Sequence, residues 1–397
     1  MRLRMVFFFV ILLLNSHLLI AQPTLLWKFR TGAQVHSSAT IKNQTVFFGS
    51  EDSCLYALDK QTGNLKWHFR TGGAVNSTPV ASNGMIFFNS MDGYIYSVDE
   101  EKGRLIWKFK TKGEVQYDIW DYYLSSPIVN NGTLYIGSGD SNIYAINIQN
   151  GQCLWRYKTN GIVHATPLCT DKMVYIGSFD GYFYALDANI GELIWRFKTV
   201  GDKYFPKGEI QRGATMYQNS IIFGSRDYNI YALDATQGTG RWNMKELGSW
   251  IIATPLVSGN DIFFGTSDSH RFYCMNAESG EVKWTLPLSM RVYGTACVIN
   301  DNIAFGCFNG MLYIVDPKNG RIVSSFQTDE SKQRYPIIYK PNGEFRDDFE
   351  LYGKETKESE KKILSLGSIL SDLVVENGII YFGDANGNFY ALKTERK

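Results

Sequence analysis

Tryptophan recurs at 27, 67, 107, 155, 195, 242 and 284, with Ser324 in the eighth place, at spacings of 40, 40, 48, 40, 47, 42 and 40. Each indole closes a near-copy of one phrase: "ALDKQTGNLKW" from 57, "SVDEEKGRLIW" from 97, "ALDANIGELIW" from 185, "ALDATQGTGRW" from 232. A unit of about 40 residues cannot hide its own apolar face, so copies of it must stack into an array.

The unit is made of strands. "NSTPVAS" starts one, "MIFFNS" a second, "YIYSVD" a third and "LIWKFKT" a fourth. Aromatic and β-branched residues alternate, and Gly, Asp and Asn stand at the joints. Helical repeats fail on the same chemistry, because no segment carries apolar residues at i, i+3, i+4, i+7 over three turns. The helix-tolerant stretch is "KETKESEKKILSLG" at 354–367.

In "GSFDGYFYAL" the Asp-Gly step suits a tight hairpin, where positive φ is needed and Asp holds a nearby amide. Asp52, Asp92, Asp140, Asp180, Asp227 and Asp268 repeat the position, with Asn309 and Asn386 in the last two copies. One acid per repeat on a wide rim reads as turn chemistry rather than a metal site. The Asp of "ALD" caps the following turn. The tryptophans read as core: each buries about 150–250 Å², an upper bound of roughly 4–6 kcal/mol at about 25 cal/mol/Å².

The hairpin occurs eight times, ending in "GDANGNFYALK", whose Trp strand is missing at Lys397. "LWKFRT" at 26–31 is an unmatched Trp strand at the other end. Placing it on the eighth sheet predicts an all-β, eight-bladed propeller of four-stranded antiparallel blades with no open edge. Residues 22–397 then form one domain.

The phrase fits AxDxxTGxxxW, and from about 25 to 392 the chain resembles the pyrroloquinoline quinone (PQQ) repeat propellers. That family includes quinoprotein alcohol dehydrogenases, the BamB scaffold of the outer-membrane β-barrel assembly machine, and other exported propellers. The resemblance implies the fold strongly and the function weakly. In the dehydrogenases it implies calcium held by Glu, Asn and Asp, an Asp base, a Trp under the quinone and two adjacent cysteines. Here there is no Cys-Cys pair, and a calcium shell of six to eight oxygens cannot be assembled from matching motifs; the nearest insertion acids are Asp118, Asp121, Glu209 and Asp372. GxSxG, HExxH and phosphate loops are also missing. A non-catalytic scaffold without cofactor or metal is therefore expected, with PQQ and calcium belonging to the dehydrogenase alternative.

Arg2 and Arg4 precede the apolar run Met5–Leu14, and Ala21 offers a cleavage point before Gln22. The run is shorter than the roughly 20 residues a membrane span needs. Residues 1–21 read as a signal peptide, and the mature protein as exported, soluble and periplasmic or extracellular. No cysteine follows the apolar run, so a lipid anchor is not expected. The six cysteines at 54, 153, 169, 274, 297 and 307 fall outside any CxxC, and Cys297 should lie opposite Ala304, so a disulfide framework is not expected. Charge is balanced, 40 basic against 39 acidic residues, which leaves no footprint for nucleic acid.

From the "TP" position to the next Trp place the spacing is 28 in six repeats and 29 from Pro255 to Trp284. Length variation falls between the Trp strand and the next innermost strand: "VQYDIWDY" at 115–122, "DKYFPKG" at 202–208, and 37 residues within 327–370. Strand order places these insertions on the face that carries the Asp-Gly hairpins. Function is expected there, because variable loops on a rigid scaffold are where recognition concentrates.

Two sets of site residues follow. The insertions offer Tyr117, Asp118, Trp120, Asp121, Tyr122, Tyr335 and Tyr339, either as aromatic anchors for a protein partner or as struts braced against neighbouring blades. The charged run 354–362 reads as a solvated arm. The channel mouth offers His36, Asn76, His164, Gln211, Arg212 and Tyr293, a half-polar ring open to a small polar ligand. His36 and His164 lie on distant blades, so they read as hydrogen-bonding residues rather than joint metal ligands. A sensor for carbohydrate or another small molecule is a third functional class.

Overall fold

The computed structural model describes residues 22–395. The leader expected at 1–21 lies outside the described residues. Thirty-two strands form eight four-stranded antiparallel sheets. Blades 1 to 7 span 40–70, 80–110, 128–158, 168–198, 215–245, 256–287 and 297–327. Neighbouring blades meet at their first strands, which surround the axis. Blade 8 takes three strands from the C-terminal end, and Thr24–Arg30 pairs antiparallel with Asn388–Lys393 as its fourth, Trp27 opposite Ala391. The ring closes as the unmatched Trp strand predicts. Cys297 faces Ala304, and all six cysteines are free.

The recurring phrase is a joint between blades. The Asp59 carboxylate accepts the Gln61 and Thr62 amides at 3.1 and 2.9 Å, bending the chain into Gly63 at φ +71°. The indole of the preceding blade lies on that glycine: Trp27 donates its Nε1–H to the Lys60 carbonyl at 3.0 Å, and a Cβ on Gly63 would sit 2.6 Å from the ring. Only glycine satisfies both the backbone angle and the contact. The same pair recurs from Trp67 and Gly103 to Trp284 and Gly320.

The hairpin acids do more than turn the chain. Asp52 accepts the Cys54 amide at 3.1 Å, the Tyr56 hydroxyl at 2.7 Å and, from the adjacent blade's strand exit, the Gly32 amide at 2.7 Å. Asp92, Asp140, Asp180 and Asp227 repeat this clamp. Two positions depart from the expected column. In blade 8, Asp384 rather than Asn386 takes the Tyr390 hydroxyl, at 2.9 Å. In blade 6 the longer hairpin moves Asp268 out of reach of Tyr273, which donates instead to Glu246 at 3.2 Å.

Helices occur within the third insertion: α1 (Asp329–Ile338) and α2 (Thr356–Leu364). α1 was not legible as a periodic pattern. Its start is a capping event, the Thr328 hydroxyl accepting the Ser331 amide at 3.2 Å with Asp329 and Glu330 in the first turn. The solvated arm expected at 354–362 is instead docked helix, with Ser359, Glu360 and Ile363 buried. A spacing of four in a helix of 3.6 residues per turn brings Ser359 and Ile363 to one face, and that face lies on the core formed by blades 6 and 7 and the insertions.

Candidate functional site

All three insertions meet the hairpin face. Asp118 of the first reaches the blade 5 hairpin at Arg226, and Phe205 of the second meets Tyr228 of the same hairpin. In the third, Tyr352 reaches the blade 6 hairpin at Asp268 and Ser331 the blade 7 hairpin at the Asn309 carbonyl. The first insertion also crosses the axis. The Tyr123 hydroxyl donates to the Leu370 carbonyl at 2.8 Å, on the far side of the ring, and the Tyr122 ring packs edge-on against His36. Trp120 meets Trp250 edge to face, and its carbonyl accepts from Gln211 at 3.0 Å. The channel is plugged.

This plug covers most of the mouth residues, while Asn76 stays half-buried. His36, His164, Gln211, Arg212 and Tyr293 are buried, so they support the insertion rather than line an open vestibule. Gln211 Oε1 accepts from Arg226 at 2.7 and 3.0 Å. Arg212 pairs with Asp372 and lies 4.0 Å over the Tyr123 ring. Tyr293 shares a hydrogen bond with Ser267 at 2.8 Å. His36 lies 3.3 Å from Glu51, which also accepts from Asn76. Beside the plug, Glu51, Asn76, Gln116, Asp121, Tyr122 and His164 line a polar cavity of about 280 Å³.

His164 and His36 engage different acids. His164 is 2% exposed, with Nδ1 3.0 and 3.1 Å from the Asp121 carboxylate and Nε2 3.3 Å from Glu114. Burial alone would drive the proton off. The Asp121 and Glu114 carboxylates outweigh it and lift the pKa from 6.5 to about 9. The folded value lies above the unfolded one, so this stabilisation is complete below the unfolded pKa and disappears as pH rises through about 9. We expect unfolding free energy to fall by about 3 kcal/mol across that window. His164→Gln should flatten the slope in urea titrations, and an unchanged slope would remove His164 as its source.

The insertion aromatics divide. Tyr122 and Tyr339 are buried struts, and Tyr335 stacks on Tyr339 at 4.4 Å. Tyr117 stays at the surface, its ring against Phe179 and its hydroxyl on Glu209 at 2.8 Å. Trp120 is half-buried at the edge of a second cleft, about 320 Å³, between the three insertions. Asp118 and Asp268 line it, with Phe205, Tyr228 and Tyr352 among its walls. These last three and Asp268 were not foreseen as a site. The signal for Asp268 was the one-residue excess in the Pro255–Trp284 spacing.

Most acids near the axis are committed to a cation: Glu114 and Asp121 to His164, Asp372 to Arg212, Asp118 to Arg226, Glu360 to Arg291, while buried Glu209 accepts the Tyr117 hydroxyl instead. Tyr122 and Tyr123 fill the space between them. This arrangement does not fit the calcium–quinone centre that the dehydrogenases of the resemblance would require.

Comparison with known proteins agrees on the architecture. The BamB crystal structure from Moraxella catarrhalis superposes with a TM-score of 0.70 at 16% identity, covering 95% of this chain and 99% of that one. A computationally designed protein, Ika8, superposes equally well at 13% identity, over 94% and 100%. A stretch of 79 residues is 34% identical to the human beta-alanine-activating enzyme, but it covers 18% of this chain and 7% of that protein. The family model described as outer membrane protein assembly factor BamB matches 19–120, 91–244 and 198–396. With the repeat, the closed eight-bladed ring and this match in agreement, the chain belongs to the BamB family of PQQ-repeat propellers.

Proposed function

We propose that this protein is an exported, non-catalytic scaffold that holds a protein partner on its insertion face, in the manner of envelope-assembly propellers of the BamB type. The observation that carries this reading is the bracing of all three insertions into one platform. Trp250 meets Trp120 of the first and Phe205 of the second, and Glu360 of the third bonds Tyr122 of the first at 2.5 Å. Tyr204 and Tyr352 stay exposed on the second and third insertions. A rigid face with exposed aromatic tips binds at low entropic cost. The leader-like residues 1–21 support export, and the committed axial acids argue for a role without bound quinone.

A photo-crosslinking residue at Tyr204, compared with one at Asn83 on a turn between inner strands, tests the reading in the native cell. Adducts are expected from position 204 and not from 83. Adducts confined to 83 would place the partner elsewhere, and alcohol oxidation by purified protein given PQQ, calcium and an artificial acceptor would overturn the non-catalytic reading.

A further inference from the structure

Three acid–cation–aromatic groups surround the 320 Å³ cleft. Asp118 pairs with Arg226 at 2.5 Å, and that guanidinium lies 4.3 Å from the Trp250 ring. Glu360 pairs with Arg291 at 2.9 Å, whose guanidinium is 5.6 Å from Tyr352. Asp202 pairs with Lys245 at 2.9 Å, whose ammonium is 6.0 Å from Tyr228. A carboxylate and a ring face together make a good seat for a cation, because the ring quadrupole adds to the charge.

Asp268 is the acid left without such a cation. In blades 1 to 5 the corresponding carboxylate is consumed by the turn amide, a tyrosine hydroxyl and the neighbouring blade's amide. Blade 6 has moved those duties elsewhere. His270 takes the extra residue's positive φ of 50°, Glu246 holds Tyr273, and the Thr266 hydroxyl accepts the Arg271 amide at 2.9 Å. Asp268 is thereby exposed in the cleft, bonded to the Tyr352 hydroxyl, and among the described residues it has no ion-pair partner. The half-buried rings of Trp120 and Phe205 line the same cleft without a resident cation. Nearby His270 does not fill the vacancy: burial and the Arg291 charge hold its pKa down at about 4, so it stays neutral.

We propose that the missing cation is supplied by the partner: a Lys or Arg side chain on an exposed segment enters between Trp120 and Phe205 and meets Asp268. This rests on the scaffold reading and adds to it the chemistry of the anchor. Charge complementarity selects a basic side chain, since the other acids around the cleft are already matched.

The mature protein, intact, is titrated by calorimetry with three blocked tripeptides, Gly-Lys-Gly, Gly-Arg-Gly and Gly-Gln-Gly, and with cellobiose. The cationic peptides are expected to bind about tenfold more tightly than the Gln peptide. Asp268→Asn should bring Lys binding down to the Gln level. Asp268 is exposed, so that variant should keep the wild-type melting temperature, and Phe205→Ala gives an independent loss. Equal binding of Lys and Gln peptides, or Lys affinity untouched by Asp268→Asn, would overturn the pocket. Preference for cellobiose would make it a carbohydrate site instead. The two readings separate in the crosslinking experiment: a partner still captured at full yield by Asp268→Asn overturns the basic anchor and leaves the scaffold standing. Failure to capture any partner, with tripeptide selectivity intact and lost in Asp268→Asn, supports the pocket while removing the scaffold.

Discussion

Replacing Glu360 by alanine is expected to destabilise the protein by about 3–5 kcal/mol, the penalty for leaving a buried charge without its partner. Arg291 is 0% exposed and cannot shed its proton, and Glu360 is 5% exposed. Both carboxylate oxygens lie 2.9 Å from Arg291 Nη1, and Oε1 also accepts the Tyr122 hydroxyl. Without the acid, Arg291 keeps the Tyr352 hydroxyl at 3.1 Å, while its Nε has no hydrogen-bond partner among the described residues even with Glu360 present. Tyr122 would lose its acceptor in the same step.

The neutral isostere separates charge from geometry. Glu360→Gln keeps an acceptor for Tyr122 and should cost less than alanine, while Arg291→Met with Glu360→Leu should recover most of the loss, because hydrophobic groups of similar volume replace buried pairs well. Urea unfolding midpoints give the comparison. Hydrogen exchange should rise at 114–123 and 356–364 in the alanine variant, since the node joins the first insertion to the third. A loss below about 1 kcal/mol would place the pair in the class of solvated surface bridges and remove the brace on which a single rigid face depends.

That node also shows where sequence reading stops. Trp27, Gly63 and Asp59 were legible because one joint is written seven times, and repetition exposes what each residue must do. The hairpin acids were legible as turn formers, but their grip on the neighbouring blade was not, since the amide they hold belongs to the preceding Trp strand's exit. The insertions occur once each. Tyr122 and Glu360 are 238 residues apart, and nothing in a single copy says that they touch. "KETKESEKK" therefore read as solvated charge, although one of its acids is buried against Arg291. The mouth residues sit differently for a related reason: a ring of inner-strand positions marks an open channel only when nothing crosses it, and Tyr122 and Tyr123 cross it, leaving Asn76 and His164 on a smaller polar cavity beside them. Asp268 was written in the sequence as one surplus residue, whose meaning needed Glu246 in view.

Deleting Thr24–Arg30 is expected to abolish the stably closed ring, and with it any reading that treats the ring as a rigid platform. That strand supplies the fourth place in blade 8, pairing with Asn388–Lys393 from Thr24–Lys393 to Arg30–Asn388. It carries Trp27, which lies on Gly63 of blade 1, and Phe29, which meets Phe48 and Tyr56 there. One strand thus ties the last blade to the first. Loss of the two rings alone should remove roughly 5 kcal/mol, comparable to the whole stability of many domains. The exposed edge of Asn388–Lys393 would then offer unpaired backbone groups to any passing strand. Size-exclusion chromatography should show larger species or aggregate in place of the intact protein's peak. A synthetic peptide of residues 22–32 added in trans should restore the intact protein's peak and melting temperature, because the pairing has a defined register. The same peptide carrying Trp27→Ala should fail, since backbone pairing without the indole leaves Gly63 uncovered. Were the truncated protein to elute like the intact one with an unchanged melting temperature, the strand would be an ornament and closure of the ring would have to reside in the inner strands alone.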